Sequence, residues 1–238
     1  MRPATLILTL AVIAAVALGI SGVGVRLGLW PFSAGFQLLR WSAYLGLAAA
    51  SIAVVGLLIP KARTGGLGPL VVALGLGLGV AYLPWHWRQR ARAVPPIHDI
   101  STDLDNPPAF VAVLPLRANA PNPSAYGGAE VAAAQRRAYP DIQPLLLAEP
   151  PPVAFARALD VAKSLGWALV AADSSAGRIE ATATTTWFGF KDDIVIRVAA
   201  EGNGSRLDIR SMSRVGKSDI GKNAERIRAF MAKLKEAK

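Results

Sequence analysis

The stretch RIEATATTTWFGFKDDIVIRVAAEGNGSRLDIRSMS, residues 178–213, decides the fold of the C-terminal half of the chain. It contains three runs in which apolar and polar residues alternate, separated by GFKD and EGNG, which are typical of tight turns. A fourth run, WALVAAD, precedes it across the turn SSAG. Because connections this short join antiparallel neighbours, the pattern predicts a four-stranded antiparallel meander.

The alternation gives the predicted sheet one apolar and one polar face. The apolar face carries residues such as Ile179, Ile194 and Ile209. The polar face includes Glu180, Arg197, Asp208 and Arg210. We interpret the polar face as the solvated side of a one-sided sheet, with a docking surface for a partner as the alternative.

Two amphipathic segments bracket the meander. PPPVAFARALDVAKSLG, residues 150–166, begins with prolines and ends at a glycine, as helices do. A second apolar stripe predicts a closing helix from about Ser218 to Lys235. The predicted fold is therefore a two-layer α+β sandwich over residues 145–238, with both helices on the apolar face. Residues 93–144 are rich in prolines and loops and predict an extended leader, with a short helix in GGAEVAAAQRRAY.

The N-terminal part has a different composition. The chain has 238 residues and a formal charge of +10, yet residues 1–92 contain eight Lys or Arg and no Asp or Glu. The positive charges punctuate apolar runs instead of forming a basic patch, which excludes nucleic acid as the expected partner. Runs of about 20 apolar residues can span a bilayer. The sequence predicts a membrane domain, residues 1–92, with three transmembrane helices at about 4–25, 41–59 and 67–85, and an interfacial connector over 27–39.

The orientation of these helices is weakly encoded. The first apolar run is too long for a cleaved signal peptide and predicts a signal anchor. Of the flanking charges, five would be cytoplasmic with the C-terminal domain inside, against three with that domain outside. The run GLGLG contains Gly75 and Gly79, four positions apart, and predicts close helix packing.

One motif suggests nucleotide binding. SRVGKSDIGKN, residues 213–223, contains Gly-Lys-Ser between a predicted strand and a predicted helix. A P-loop requires a glycine five positions before Gly216, where this chain has Ser211. We therefore interpret the segment as a strand-to-helix turn in which Ser218 or Asp219 caps the helix. The alternative is a phosphate-bearing partner bound at the helix start, which Arg214 and Lys217 flank.

Few residues offer catalytic chemistry. The chain has no cysteine and two histidines, neither in the predicted core, so the sequence predicts no metal site, no cofactor and no catalytic triad. Adjacent Asp192 and Asp193 point to opposite faces of a strand and should not converge. Trp187 and Phe190 lie near a predicted hairpin tip, either folded onto the core or exposed as a small apolar patch. The full set of candidate binding residues is Trp187, Phe190, Asp192, Asp193, Arg210, Ser211, Ser213, Arg214 and Asp219.

Several segments resemble a known family. PPIHDISTDLDNPPAF, AYPDIQPL, GRIEATATTTWFGFKDDIVIR and SRLDIRSMSRVGKSDIGKNAERIRAF are similar, in order, to the family catalogued as domain of unknown function 1499, over residues 95–235. Shorter relatives resemble exported lipoproteins or lumenal proteins, which implies that the domain lies on the trans side of the membrane. Those relatives have a cysteine near the domain start, where this chain has DNPPAF. The resemblance brings no activity and no catalytic residues.

Three functions are compatible with these features. The first is a non-enzymatic binding or assembly module of the cell envelope, tethered to the inner membrane by several spans, facing the periplasm and contacting a membrane or envelope protein. The second is an envelope hydrolase or lipid-modifying enzyme with a polar site around the last strand and helix. The third is a domain that binds lipid between sheet and helices. A concave site with converging side chains would favour the enzyme.

Overall fold

A computed structural model describes residues 2–64 and 66–236. Positions 1, 65, 237 and 238, which belong to the predicted membrane domain and to the end of the predicted core, lie outside the described residues. The chain divides into two compact units. The helical unit comprises Met1–Arg90 and Thr186–Gly189, and the α+β unit comprises Ala91–Thr185 and Phe190–Lys238.

Among the residues that the structure describes, the helical unit contains three helices long and apolar enough to cross a membrane. These are α1 (Pro3–Arg26), α2 (Phe32–Leu58) and α3 (Gly68–Ala93), and a short 3-10 helix (Pro60–Arg63) follows α2. This confirms the prediction that the apolar runs form three helices of membrane-spanning length and composition.

The start of α2 corrects the sequence prediction. We expected residues 27–39 to be an interfacial connector, but α2 begins at Phe32, directly after Pro31. Proline does not disturb a helix that starts beside it, because the first amides of a helix have no partner within the helix. Arg40, which we took as the boundary of a span, is an exposed residue inside α2. A charge on the surface of a helix does not end the helix.

Small residues bring α2 and α3 together. A side chain at Gly77 of α3 would collide with the backbone of Gly46 and Ala50 in α2, so this crossing requires glycine. Gly75 and Gly79, which we expected to pack closely, face open space instead, because a Cβ at either position would meet no atom within 4 Å. The glycine run therefore does mediate close packing, but through its central residue.

The turn Thr186–Gly189 belongs to the helical unit by its contacts. The Trp187 Nε1–H donates to the carbonyl oxygen of Gly19 in α1 at 2.9 Å. Phe188 is 4% exposed, and its ring centroid lies 5.3 Å from that of Phe36. Gly22 leaves the space that the Trp187 ring occupies, because a Cβ there would lie 2.5 Å from the ring. The Trp187 side chain is thus partly buried against α1 instead of forming the exposed patch considered above.

The packing of the Trp187 ring against Gly22 predicts different outcomes for substitutions at two glycines of α1, Gly22 and Gly19. Gly22→Ala should displace the Trp187 ring, at a cost of about 1–3 kcal/mol for overpacking, and amide exchange in residues 184–190 should become at least about tenfold faster. Gly19→Ala is the matched control, because a Cβ at Gly19 has no neighbour within 4 Å. Hydrogen exchange with mass spectrometry on the full chain measures the amide exchange rates of both variants. Equal rates in the two variants would contradict the packing of the Trp187 ring against Gly22.

The α+β unit is built on one antiparallel sheet of six strands. They are β1 (Asp99–Ser101), β2 (Leu145–Leu147), β3 (Ala168–Asp173), β4 (Arg178–Thr184), β5 (Lys191–Glu201) and β6 (Gly204–Ser213). The order is β1-β6-β5-β4-β3, and β2 also pairs with β6. The predicted meander is present as β3–β6, but the prediction of four strands in total is wrong.

Both missed strands pair with the free edge of β6. β1 lies opposite residues 210–212 and β2 lies opposite residues 205–207. Each has only three residues, so neither is long enough to show an alternating pattern. They form because β6 is ten residues long and its outer edge would otherwise leave backbone groups without partners.

Helices α5 (Pro151–Ser164) and α6 (Lys222–Glu236) cover the apolar face, as predicted. Phe155 of α5 and Phe230 of α6 belong to the same buried core as Ile194, Ile196 and Ile209 of the sheet. The predicted short helix is α4 (Gly128–Ala138). α6 begins four residues later than predicted.

The polar face of the sheet is also covered, which overturns its interpretation as a solvated surface. Residues 102–126, here called the covering segment, include a 3-10 helix (Pro115–Arg117). Phe110 and Val113 of this segment pack on Val195 and Met212 of the sheet. Glu180, Asp208 and Arg210 are all at most 3% exposed. The unit is therefore layered on both sides of its sheet.

Candidate functional site

The structure distributes the nine predicted site residues over several places. Asp193, Arg210 and Arg214 lie on the face of the sheet beneath the covering segment. Asp192, Ser211 and Ser213 lie on the opposite, helix-covered face, close to the start of α6. Asp219 precedes α6, Phe190 precedes β5, and Trp187 belongs to the helical unit. They do not converge in one concave site.

Asp193 is the centre of one buried cluster. Its carboxylate accepts hydrogen bonds from Arg117 Nη1 at 2.7 Å, from Arg214 Nε and Nη2 at 2.8 Å each, and from Thr182 Oγ1 at 2.7 Å. Burial raises the pKa of this carboxyl, but the hydrogen bonds from Arg214, Thr182 and Arg117 outweigh burial and hold the pKa below its usual range. Asp193 is thus ionised at neutral pH and binds two arginines.

Arg210 and Asp99 form a second buried cluster. Arg210 Nε and Nη2 donate to the two carboxylate oxygens of Asp99 at 2.9 and 2.8 Å, a bidentate pair in which both side chains are at most 4% exposed. Arg210 also donates to the carbonyl oxygens of Pro108 and Ser124 in the covering segment. Burial and the nearby Asp99 carboxylate raise the pKa of Tyr126 to about 12. The cluster ties β1, β6 and the covering segment together.

Glu180 holds the covering segment by its backbone. The Glu180 carboxylate accepts hydrogen bonds from the amides of Val111, Ala112 and Val113 at 2.9–3.1 Å. Arg178 Nε lies 3.0 Å from the same carboxylate. Three successive amides around an anion make a nest of the kind that binds phosphate in other proteins, but here a side chain of the protein fills it.

The helix-covered face carries a third polar cluster. Asp192 accepts from Arg226 Nη2 at 2.6 Å, and Ser211 Oγ donates to the side-chain oxygen of Asn223 at 2.7 Å. Asn223 Nδ2 donates to Ser213 Oγ at 3.0 Å. Each serine is therefore hydrogen-bonded to an amide, whereas a nucleophilic serine needs a base as its acceptor.

The turn before α6 is a helix cap, as we interpreted it. Gly216 has φ of 93°, and the Asp219 carboxylate accepts from the amides of Gly221 at 2.8 Å and Asn223 at 2.7 Å. The carboxylate occupies the position at the helix start that a phosphate would take in a P-loop. Positive φ at Ile220 (56°) and at Gly221 (79°) delays the first residue of α6 to Lys222.

Burial raises the pKa of Asp219 above the ordinary 3.8, and backbone hydrogen bonds only partly offset this effect. The folded state therefore holds its proton more tightly than the unfolded state. The stability contributed by this group is fully present below pH about 4 and falls as the pH rises through the folded pKa. The pKa of Asp193 is lowered, so its contribution is present above pH about 4 and is lost at more acidic pH.

A comparison of Asp219→Asn with wild type tests whether the stability contributed by Asp219 falls as the pH rises. Asparagine keeps one of the two acceptor oxygens of the cap and does not titrate. Apart from a constant offset, the stability of the variant relative to wild type should therefore increase between pH 4 and pH 7. Asp219→Ala, which also removes the remaining cap hydrogen bond, should be about 1 kcal/mol less stable than Asp219→Asn at every pH. Denaturant unfolding at several pH values measures both differences. A difference between Asp219→Asn and wild type that is constant with pH would contradict the assignment.

Phe190 holds the connection between β4 and β5 together through its backbone. Its amide donates to Thr185 Oγ1 at 2.8 Å, and its carbonyl accepts from the Thr185 amide at 2.8 Å. These bonds close the β4–β5 connection.

Within residues 2–64 and 66–236, no group of three or more metal-ligating side chains occurs.

Four residues that complete the buried clusters were not predicted from the sequence. They are Asp99, Arg117, Asn223 and Arg226. One signal could have found some of them, since a polar sheet face with several charges requires opposite charges elsewhere if it is buried. The acids and arginines of the supposed leader were the available partners.

The comparison with protein families bears directly on this unit. A family model described as "Protein of unknown function (DUF1499)" matches residues 99–234, from the first residue of β1 into α6. The chain belongs to this family. The match includes both short strands, the covering segment and all three buried clusters, and it leaves α1–α3 outside. The comparison with curated proteins returned no match.

Proposed function

We propose that this DUF1499 chain is a membrane-tethered binding or assembly module without a catalytic site in its α+β unit. One observation carries the proposal: the candidate aspartates, arginines and serines of the α+β unit are hydrogen-bonded to other protein groups. Asp193, Arg210 and Ser211 are each less than 4% exposed. Their hydrogen bonds join the covering segment and α6 to the sheet, which is a structural use.

The lipid bilayer is the first partner in this proposal. α1–α3 would anchor the chain as a multi-pass protein of the inner membrane, and the α+β unit would face the periplasm to meet a membrane or envelope protein. The three apolar helices support the anchor. A reporter that is active only outside the cytoplasm, fused after residue 238, tests the orientation. Activity supports the periplasmic placement, and an inactive but expressed fusion contradicts it.

Affinity purification from native membranes in mild detergent tests the assembly role. The wild-type chain should retain a stoichiometric protein partner after crosslinking and quantitative mass spectrometry. Ile196→Asp, which places a charge in the core, is the control, because it should abolish retention by unfolding the α+β unit while α1–α3 remain. Repeated recovery of the wild-type chain alone would contradict the proposal.

A serine-reactive fluorophosphonate probe tests the enzyme alternative. An amide-bonded hydroxyl is not activated, so Ser211 and Ser213 should remain unlabelled in the folded chain. Labelling of wild type that disappears in Ser211→Ala or Ser213→Ala would replace the proposal by a hydrolase.

A further inference from the structure

A surface cavity of about 280 Å³ lies between the covering segment and the end of β6. Its walls include Pro115, Leu116, Pro121 and Val215, which are apolar, and Arg214 and Asn119, which are polar. Leu116 is 55% exposed, so an apolar side chain borders solvent here. All these residues belong to the α+β unit.

The charge beneath this cavity is not balanced. Arg117 and Arg214 share a single carboxylate, that of Asp193. In the part of the chain that the structure describes, neither arginine has a second carboxylate within 4.0 Å. Arginine cannot neutralise itself by losing a proton, so the cluster carries one surplus positive charge. Lys191, whose carbonyl oxygen accepts from the Arg214 amide, is exposed and adds another positive charge at this end of the sheet.

One N–H group of Arg214 donates no hydrogen bond within the described residues. A guanidinium has five N–H donors. Those of Arg214 reach Asp193 twice, Thr182 Oγ1 at 3.4 Å and the Leu116 carbonyl oxygen at 2.7 Å. Four donors are thereby used, and the fifth is on Nη1, the nitrogen that bonds to a residue of the cavity wall. Arg214 itself is a wall residue.

We infer that this cavity binds a small amphipathic anion, namely a phosphate or carboxylate attached to a short apolar group. The anionic group would accept from Arg214 Nη1 and offset the surplus charge, and the apolar group would lie against Leu116 and its neighbouring prolines. A volume near 280 Å³ is just below the usual range of ligand cavities, about 300–1,000 Å³, so the inferred occupant is a head group with a short chain. This site adjoins the Asp193 cluster and shares Arg214 with it. The inference does not depend on the proposed assembly role.

Four probes separate the anionic and apolar contributions. The full chain in nanodiscs of zwitterionic lipid is titrated calorimetrically with hexyl phosphate, hexanoate, hexanol and inorganic phosphate, and empty nanodiscs provide the blank. Hexyl phosphate or hexanoate should bind at least about tenfold more tightly than hexanol and inorganic phosphate. Equal affinity for hexanol and hexyl phosphate, or absence of binding by both anionic amphiphiles, would overturn the inference.

Two leucine variants locate the binding. Leu116→Asp puts a negative charge at the cavity and should weaken hexyl phosphate binding by at least about tenfold. Leu146→Asp is the matched control, because Leu146 is 67% exposed on β2 and is not a wall residue. Both variants should unfold at the denaturant concentration of wild type. If Leu116→Asp binds hexyl phosphate like Leu146→Asp, the cavity is not the site and the inference fails.

The source of the anion is distinguished by the lipid of the nanodisc. Competition with hexyl phosphate by phosphatidylglycerol in the bilayer identifies a lipid head group as the occupant. Unchanged binding in the same nanodiscs identifies a free anion. Either result is consistent with the inferred chemistry, which the four probes and the Leu116 variant test independently.

Discussion

Glu180→Gln is expected to destabilise the α+β unit by about 4 kcal/mol, because it breaks a fully buried charge-assisted network. The substitution preserves shape but replaces one acceptor oxygen by an NH₂ donor. That donor faces the amides of the covering segment, which also donate. Buried amides without an acceptor cost about 1–3 kcal/mol each. Arg178, whose side chain is 28% exposed, would lose its ion pair with Glu180 but keep its hydration and its ion pair with Asp173.

Hydrogen exchange at residues 111–113 provides the direct measurement. A loss of about 4 kcal/mol corresponds to exchange roughly a thousandfold faster in these amides. Glu201→Gln is the matched control, because Glu201 is an exposed residue at the end of β5 and should leave exchange unchanged. Wild-type protection of residues 111–113 in Glu180→Gln would show that the covering segment is held by its apolar contacts alone.

The elements that sequence patterns predicted share one property, which is a local period. β4, β5 and β6 alternate over seven or more residues, and α5 and α6 carry apolar stripes over three or more turns. A local period reports which face of an element is buried, because neighbouring positions are compared within one element. It therefore identified the meander and the two helices without knowledge of their partners.

The elements that were missed depend on partners distant in the chain. β1 is three residues long and is held by Arg210, which is 111 positions from Asp99. Arg117 is 76 positions from Asp193. A charged residue in a strand gives the same alternation whether water or an opposite charge satisfies it, so one sequence cannot distinguish a solvated face from a buried ionic layer.

The same limit applied to the candidate site. Asp192 and Asp193 were correctly placed on opposite faces, since strand geometry alone decides this. Their environments were not predictable, because both carboxylates are buried against arginines from other elements. Likewise Trp187 could be recognised as a large apolar residue in a turn, but its acceptor, the Gly19 carbonyl, is 168 positions away.

Arg210→Met is the second change with a large expected effect. It tests whether the buried ion pair of Arg210 and Asp99 adds to the free energy of unfolding or only favours this arrangement of the chain over others. The variant leaves the Asp99 carboxylate, which is 3% exposed, without its charged partner. Its free energy of unfolding should therefore fall by about 3–5 kcal/mol. Asp99→Leu alone strands the Arg210 guanidinium and should lose a similar amount. The double variant buries no unpaired charge at this position, and isosteric apolar replacement of a buried ion pair is often close to neutral.

The double variant should therefore recover most of the lost stability, with a coupling energy of at least about 2 kcal/mol between the two sites. Full recovery is not expected, because the Pro108 and Ser124 carbonyl oxygens also lose a donor. Denaturant unfolding of the four proteins in nanodiscs gives the cycle, and hydrogen exchange in β1 reports whether this strand still pairs with β6. Additive losses would mean that the pair contributes nothing as a pair. In that case Arg210 would hold the covering segment through its carbonyl contacts, and β1 would pair with β6 through its backbone alone.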